Sequence, residues 1–321
     1  MTVLERKRQL SRALIGIALI AVLTTGASRV VAAEPGGQMP ARIVKAFPPK
    51  TFLESIVATP RASFLVSSYP DGKIYAVDPR GKTKVFAQID GTIAGLAIQC
   101  PGDLLVNGWA GGKEPAVFHV SSDGKAELLL KFPNGWSHLK GTRFLLADSF
   151  KGVIWEVDVA KRTARVWLRH ELLARVDEKS DIPGVNGIKI FGRNLFASNG
   201  QRKVLLRIPI GADTTAGVPE VFVKNLFVDD FAFDTKGTLY GATHMNNTVV
   251  KVFPDGRVTT IGGLKEGLAG ATAVAFGRGK SVRESIFVTT NGGMSMPPPG
   301  GVQPGRIIRL DVGERAAPLC F

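Results

Sequence analysis

The sequence predicts an all-β fold, a six-bladed propeller, and three observations carry that expectation. The first is an internal repeat. Segments beginning near Leu53, Ile93, Pro133, Gly184, Asp229 and Thr272 each run through an alternating apolar strand, a tight turn, and a second strand ending in small polar residues. Aligned on the entry to the first strand, their lead positions are Glu54, Ala94, Asn134, Asn186, Asp229 and Ala271, spaced by about 40 to 52 residues. That is the period of four-strand blades. The second observation is that 37 Gly and 19 Pro fall mostly between strand-like runs, as many short strands with tight turns require. The third is that no helical apolar period persists beyond WLRHELLARVDEK at about 167–179, an insertion before the fourth repeat.

The chain of 321 residues is long enough for two domains, but repeats spread from end to end favour one. Residues 1–33 read as a signal peptide: Arg6, Lys7, Arg8 and Arg12 precede the apolar run ALIGIALIAVL, and Val31-Ala32-Ala33 supplies small residues for cleavage. The alternative is a retained anchor, against which the run is short for a bilayer. Residues 34–41 follow as a linker, and 42–321 form the propeller. Loss of the leader lowers the formal charge from +14 to about +10. That excess is scattered over turns without an aromatic ladder, which argues against nucleic acid. The expected setting is periplasmic or secreted, as a monomer with no membrane span after cleavage. Export permits a disulfide between Cys100 and Cys320, which the ring would bring to the face away from the mouth; two free thiols are the other possibility.

The last repeat has only three clear strands, TAVAFG, SIFVTT and RIIRLDV. The run RIVKAF at 42–47 supplies the missing outer strand and closes the ring, removing two open edges. PDG at 70–72, SDG at 122–124 and PDG at 254–256 are turn formers.

The lead positions carry the chemistry. Asn134-Gly135 and Asn186-Gly187 could be hairpin turns, but their phase matches that of Glu54 and Asp229, so the ring points all four at its axis. Two carboxylates and two amides make a hard oxygen site suited to Ca²⁺, with Zn²⁺, Mn²⁺ or Mg²⁺ as other divalent occupants. Mouth loops add Tyr69, Trp109, Phe150, His244 and Met294 as a mixed rim for a small molecule, and the Pro- and Gly-rich loop 291–305 is a candidate lid. No GxSxG element is present, which argues against acyl-enzyme chemistry.

Glu54 in LESI, Asn134 in PNG, ADS followed by GVIWEVD, Asn186 in GVNGIK and Asp229 before AFD resemble the gluconolactonase, regucalcin and luciferin-regenerating-enzyme family of six-bladed propellers. The resemblance runs from about 45 to 312. It implies a divalent metal held by Glu54, Asn186 and Asp229, with Asn134 near the substrate and Asp229 assisting water. The implied reaction is opening of a lactone or related ester, with Asn134 and Asp229 as the catalytic pair. Asp229 is followed by Asp230 where the family commonly has Gly, so either could face the metal. Phe132 stands where the family has an Arg for sugar lactones, which points to a more apolar lactone or ester. Two other readings remain. One is a non-catalytic exported scaffold with a structural Ca²⁺, binding a ligand or protein. The other is a condensing propeller similar to strictosidine synthase, which would prefer a catalytic Glu and no metal.

Overall fold

A computed structural model describes residues 34–35, 37–59, 63–99, 102–131 and 136–318. Cys100, Cys320, Asn134 and the leader lie outside the described residues. Six small antiparallel sheets form a ring, the six-bladed propeller that the repeats require. Blade 1 runs through Leu53–Ala58, Phe64–Ser68, Lys73–Val77 and Thr83–Gln88. Blade 2 opens at Gly91–Gln99, blade 3 at Trp136–Lys140, blade 4 at Val185–Phe191, blade 5 at Phe231–Phe233 and blade 6 at Ala271–Phe276. In every blade the first strand pairs with the second, the second with the third and the third with the fourth.

Alternation decides where the core sits. Second strands such as Phe64–Ser68 and Ser285–Thr290 are buried on both faces, and their apolar residues feed the clefts between neighbouring sheets. Among the described residues the buried side chains fall into six clusters, one for each blade interface. Leu105 and Val117 of blade 2 pack with Phe144 and Leu146 of blade 3, for example, and Tyr240 of blade 5 packs with Phe276 of blade 6. At the expected turns Gly72, Gly124 and Gly256 have φ of 65°, 91° and 84°. Asp71, Asp123 and Asp255 each accept a backbone N–H two residues on, confirming them as turn formers.

The ring closes as the strand count requires. Ala41–Pro49 pairs antiparallel with Pro304–Asp311, so the fourth strand of blade 6 comes from the N-terminal side of the chain. Phe47 and Phe64 meet Phe287 in one cluster across this junction, with the Phe64 and Phe287 ring centroids 4.1 Å apart.

Two expectations need correction. Residues 34–41 are not a plain linker: Glu34–Pro35 pairs parallel with Thr259 and Thr260 of blade 5, and Met39 N–H donates to Ile261 O at 3.1 Å. The helix-like stretch near 167–179 shrinks to one 3₁₀ turn, Glu171–Leu173, because Thr163–Arg169 completes blade 3. His170 Nδ1 caps that turn by accepting Leu172 N–H, and Leu173 fills the cleft between blades 3 and 4. No helix among the described residues is long and apolar enough to cross a membrane.

Because Phe287 is sealed in the closure cluster, Phe287→Ala should destabilise the protein by about 3–5 kcal/mol. Urea unfolding of the variant would measure it, and a loss under about 1 kcal/mol would mean that the two ends of the chain do not depend on this contact.

Candidate functional site

The site begins with an irregularity in strand pairing. In blade 1, Leu53 pairs with Ser68 and Ile56 with Val66, so Glu54 and Ser55 together oppose Ser67. Blade 2 repeats this with Ala94 and Gly95 opposite Asn107, and blade 4 with Asn186 and Gly187 opposite Ser198. In blade 5, Ala242 O accepts Asp229 N–H at 2.8 Å while Ala242 N–H donates to Asp230 O at 3.0 Å. Such bulges re-aim side chains, and here each lies at the head of the strand nearest the axis. Glu54, Asn186, Asp229 and Asp230 consequently line one cavity of about 300 Å³, together with Tyr69, Trp109, Phe150 and His244.

Hydroxyls fix the bulges to the next blade. Ser67 Oγ accepts Ser55 N–H at 2.9 Å and donates to Ala94 O at 2.7 Å. Ser198 Oγ donates to Asp229 O at 3.2 Å, and Thr272 Oγ1 to Leu53 O at 2.8 Å. Gly187 N–H also reaches Asp229 O, at 3.1 Å, and a Cβ at Gly187 would lie 2.4 Å from that oxygen. Only glycine permits this approach of blade 4 to blade 5.

The two adjacent aspartates have different partners. Asp230 pairs with Lys189 Nζ. Asp229 is 6% exposed and takes Asn186 Nδ2–H on Oδ1 and His244 Nδ1–H on Oδ2, the latter at 2.9 Å. The tautomer of His244 follows from its other nitrogen. Asn291 Oδ1 accepts the N–H groups of Gly293 and Met294 at 2.8 and 3.1 Å, which leaves its Nδ2 facing His244 Nε2 at 2.7 Å. In the neutral ring, Nε2 is therefore the acceptor and Nδ1 carries the proton toward Asp229. Burial alone would push the His244 pKa down, but its hydrogen bond to Asp229 and the charges of Asp229 and Glu54 carry it above the ordinary value. The backbone of His244 sits at φ +27°, in a 3₁₀ turn closed by Thr243 and Thr248. Such strain is common at functional sites.

Glu54 differs from both aspartates. Its Oε2 is buried without a hydrogen-bond partner, and burial, reinforced by the charge of Asp229, pushes its pKa to about 8. Burial and the Glu54 charge also raise the Tyr69 hydroxyl. An orphaned carboxylate oxygen beside a second carboxylate suits a hard divalent cation, with Asn186 contributing its amide oxygen once that amide is turned over. The donor types present therefore suit the implied metal, while among the described residues no three Asp, Glu, His or Cys side chains are grouped as a ligand set on their own.

Met294 is not among the residues that line this cavity, and its backbone N–H donates to Asn291 Oδ1. No residue of 291–305 lines the cavity, and Asn291 at the start of this loop meets His244. Sequence reasoning missed Phe52, Lys189 and Asn291. Lys189 could have been noticed as a charged residue in an inner strand, and Asn291 as one more polar strand end after Thr289-Thr290.

No protein-family model matches the chain. A Phoma sp protein named "Putative hetero-Diels-Alderase" is 26% identical over 337 residues, covering 85% of this chain and 94% of that one. Among solved structures, the calcium-binding protein regucalcin from Agrobacterium tumefaciens str. C58 superimposes with a TM-score of 0.68 at 16% identity, over 88% of this chain and 97% of that one. A luciferin-regenerating enzyme gives 0.67 at 12% identity over 87% and 98%. A gluconolactonase from Xanthomonas campestris gives 0.61 at 13% over 88% and 99%.

The chain has the gluconolactonase and regucalcin propeller fold. At these identities the likeness extends to the architecture, and the chemistry of this gluconolactonase-like propeller must be argued from its own cavity.

A carboxyl held protonated by the fold costs stability as pH rises past its unfolded value of 4.5 and stops doing so above its folded value of about 8. In chelator, wild type should lose stability relative to Glu54→Gln across that window, at up to about 1.4 kcal/mol for each pH unit. Urea midpoints at pH 5, 6.5 and 8 would show it, and parallel curves would mean that Glu54 is solvated.

Proposed function

We propose that this protein is an exported hydrolase of lactones or related esters that works with a divalent cation, most simply Ca²⁺, at the head of its central channel. The observation that carries the reading is the meeting of Glu54, Asn186 and Asp229 in one cavity, with a buried carboxylate oxygen left without a partner. Glu54, Asn186 and Asp229 would hold the ion. When bound, it would supply a Lewis acid for the ester carbonyl. The fold shared with a gluconolactonase supports the reaction class, and the leader-like residues 1–33 support export.

The remaining steps belong to this chain. Asp229 is oriented by the Nδ1–H bond from His244, which remains when the Asn186 amide turns its oxygen to the ion, a preorganisation that favours action as a general base. It would take the proton from water as the water oxygen bonds to the carbonyl carbon. The tetrahedral species would collapse with cleavage of the bond between that carbon and the ester oxygen, and the departing alkoxide would recover the proton from Asp229. His244 would orient the base and stabilise it through the Nδ1–H bond. Lys189 neutralises Asp230, which keeps a second negative charge from opposing Asp229.

A second reading has its own support. Without a cation, burial keeps Glu54 protonated near neutral pH, and a neutral carboxylic acid can donate a hydrogen bond to a substrate carbonyl. The likeness to a protein named as a hetero-Diels-Alderase favours such activation of a carbonyl or enone for ring formation. Both readings use the same cavity and differ in the charge on Glu54.

Asp229→Asn should lower turnover of γ- and δ-lactones or aryl esters by about 10²–10⁴-fold. Chelator should abolish wild-type turnover, and Ca²⁺ or another divalent ion should restore it. Full ester turnover in Asp229→Asn would eliminate the hydrolytic assignment. A chelator that lowers only the melting temperature would favour a scaffold with a structural ion.

A further inference from the structure

The cavity has two unlike sides. Blades 4 and 5 contribute Asn186, Lys189, Asp229 and Asp230, whereas blades 1 and 2 contribute, besides Glu54 and Asn107, aromatic rings in continuous contact. Tyr69 meets Trp109 edge-on with centroids 5.9 Å apart and an interplanar angle of 81°. The Phe52 ring centroid lies 5.5 Å from that of Tyr69 and 6.0 Å from that of His244, the latter edge-on at 74°. Each ring is held by the next, so the wall is formed before anything binds and costs little conformational entropy to use.

We propose that the natural occupant is a compact, planar, unsaturated ring compound with a carbonyl on its edge, lying on the Trp109–Tyr69–Phe52 wall with that carbonyl toward Glu54, Asn186 and Asp229. The assignment rests on the proposed carbonyl chemistry of this site and names the class of molecule that the site takes. The cavity of about 300 Å³ is at the small end of ligand sites, which limits the buried portion to one or two rings. A polyhydroxylated sugar lactone fits poorly, because hydroxyls turned toward ring faces lose water without gaining partners, at about 1–3 kcal/mol each. On the polar side Lys189 and Asp230 are already paired with each other, and the unpartnered oxygen of Glu54 serves the single polar group at the edge of a ring better than hydroxyls set all round one. A flat π-system instead gains offset or edge contacts of about 0.5–1.5 kcal/mol with each ring it meets.

The test separates this assignment from the hydrolytic reading by using ligands with no bond to cleave. Dissociation constants of 1-indanone and cyclohexanone, which present the same carbonyl on a planar aromatic and a saturated frame, would be measured by calorimetry or ligand-observed NMR on the protein with Ca²⁺ present. Indanone should bind about tenfold more tightly. Trp109→Ala should remove most of that gap, and Trp109→Phe should restore part of it. If Trp109→Ala does not fold by circular dichroism, Tyr69→Leu replaces it with the same expectation. Equal affinities in wild type, or a gap that survives in a folded wall variant, would overturn the assignment. A preference present and wall-dependent, in a protein that turns over no ester, would count against hydrolysis and leave the occupant assigned.

Discussion

The site depends on a mismatch in strand pairing. Where two residues of an inner strand oppose one residue of its neighbour, the alternation of the strand slips, and the side chain at the slip turns toward the axis. Blades 1, 2 and 4 do this at Glu54, Ala94 and Asn186, and blade 5 bends similarly at Asp229. The same mismatch exposes backbone groups that a regular ladder would have used. Ser67, Ser198 and Thr272 take up those groups and, in doing so, bond to the first residues of the following blade. One device thus aims the site residues and ties the blades together at the mouth. Gly187 shows how tightly the two are linked, because a single added methyl would collide with the backbone oxygen of Asp229.

Electrostatics then separates the acidic residues. The protein is strongly basic overall, yet its cavity gathers Glu54, Asp229, Asp230 and the rim residue Asp181 against Lys189 and His244. Each acid has a different environment. Asp230 has an ammonium partner, Asp229 has two hydrogen-bond donors, and Glu54 has a buried oxygen with none. Of these carboxyls it is Glu54 whose surroundings favour the protonated form, because burial and the charge of Asp229 raise its pKa to about 8. A cation beside Glu54 would reverse its preference, so metal affinity and the protonation of Glu54 are two faces of one equilibrium.

Much of this was legible in the sequence because the repeat is physical. Alternating apolar residues, Asp-Gly turns and a fixed phase at the lead position suffice to place Glu54, Asn186 and Asp229 at the head of inner strands. The missing fourth strand of blade 6 was legible for the same reason. What could not be read depends on contacts between distant residues. That His244 presents Nδ1–H to Asp229 follows from a left-handed backbone at 244 and from Asn291, 47 residues away. That Met294 stands outside this cavity could not be read either, because loop length does not reveal the direction in which the loop folds. Residues 34–41 looked like a linker because a two-residue parallel pairing leaves no period in a sequence.

The division of the cavity into an aromatic side and a charged side also follows from the ring. Consecutive blades contribute neighbouring parts of the wall, so Phe52, Tyr69 and Trp109, drawn from blades 1 and 2, form a continuous surface by adjacency in sequence order. Asn186, Lys189, Asp229 and Asp230 do the same from blades 4 and 5 across the axis. His244 belongs to the charged side yet touches Phe52, so it joins the two halves where the ring turns from one to the other. A molecule lying on the aromatic rings, as proposed, would meet the hydrogen-bonded pair of His244 and Asp229 at its edge. On the proposed reading, binding and chemistry would be coupled at that edge, because one imidazole takes part in both surfaces.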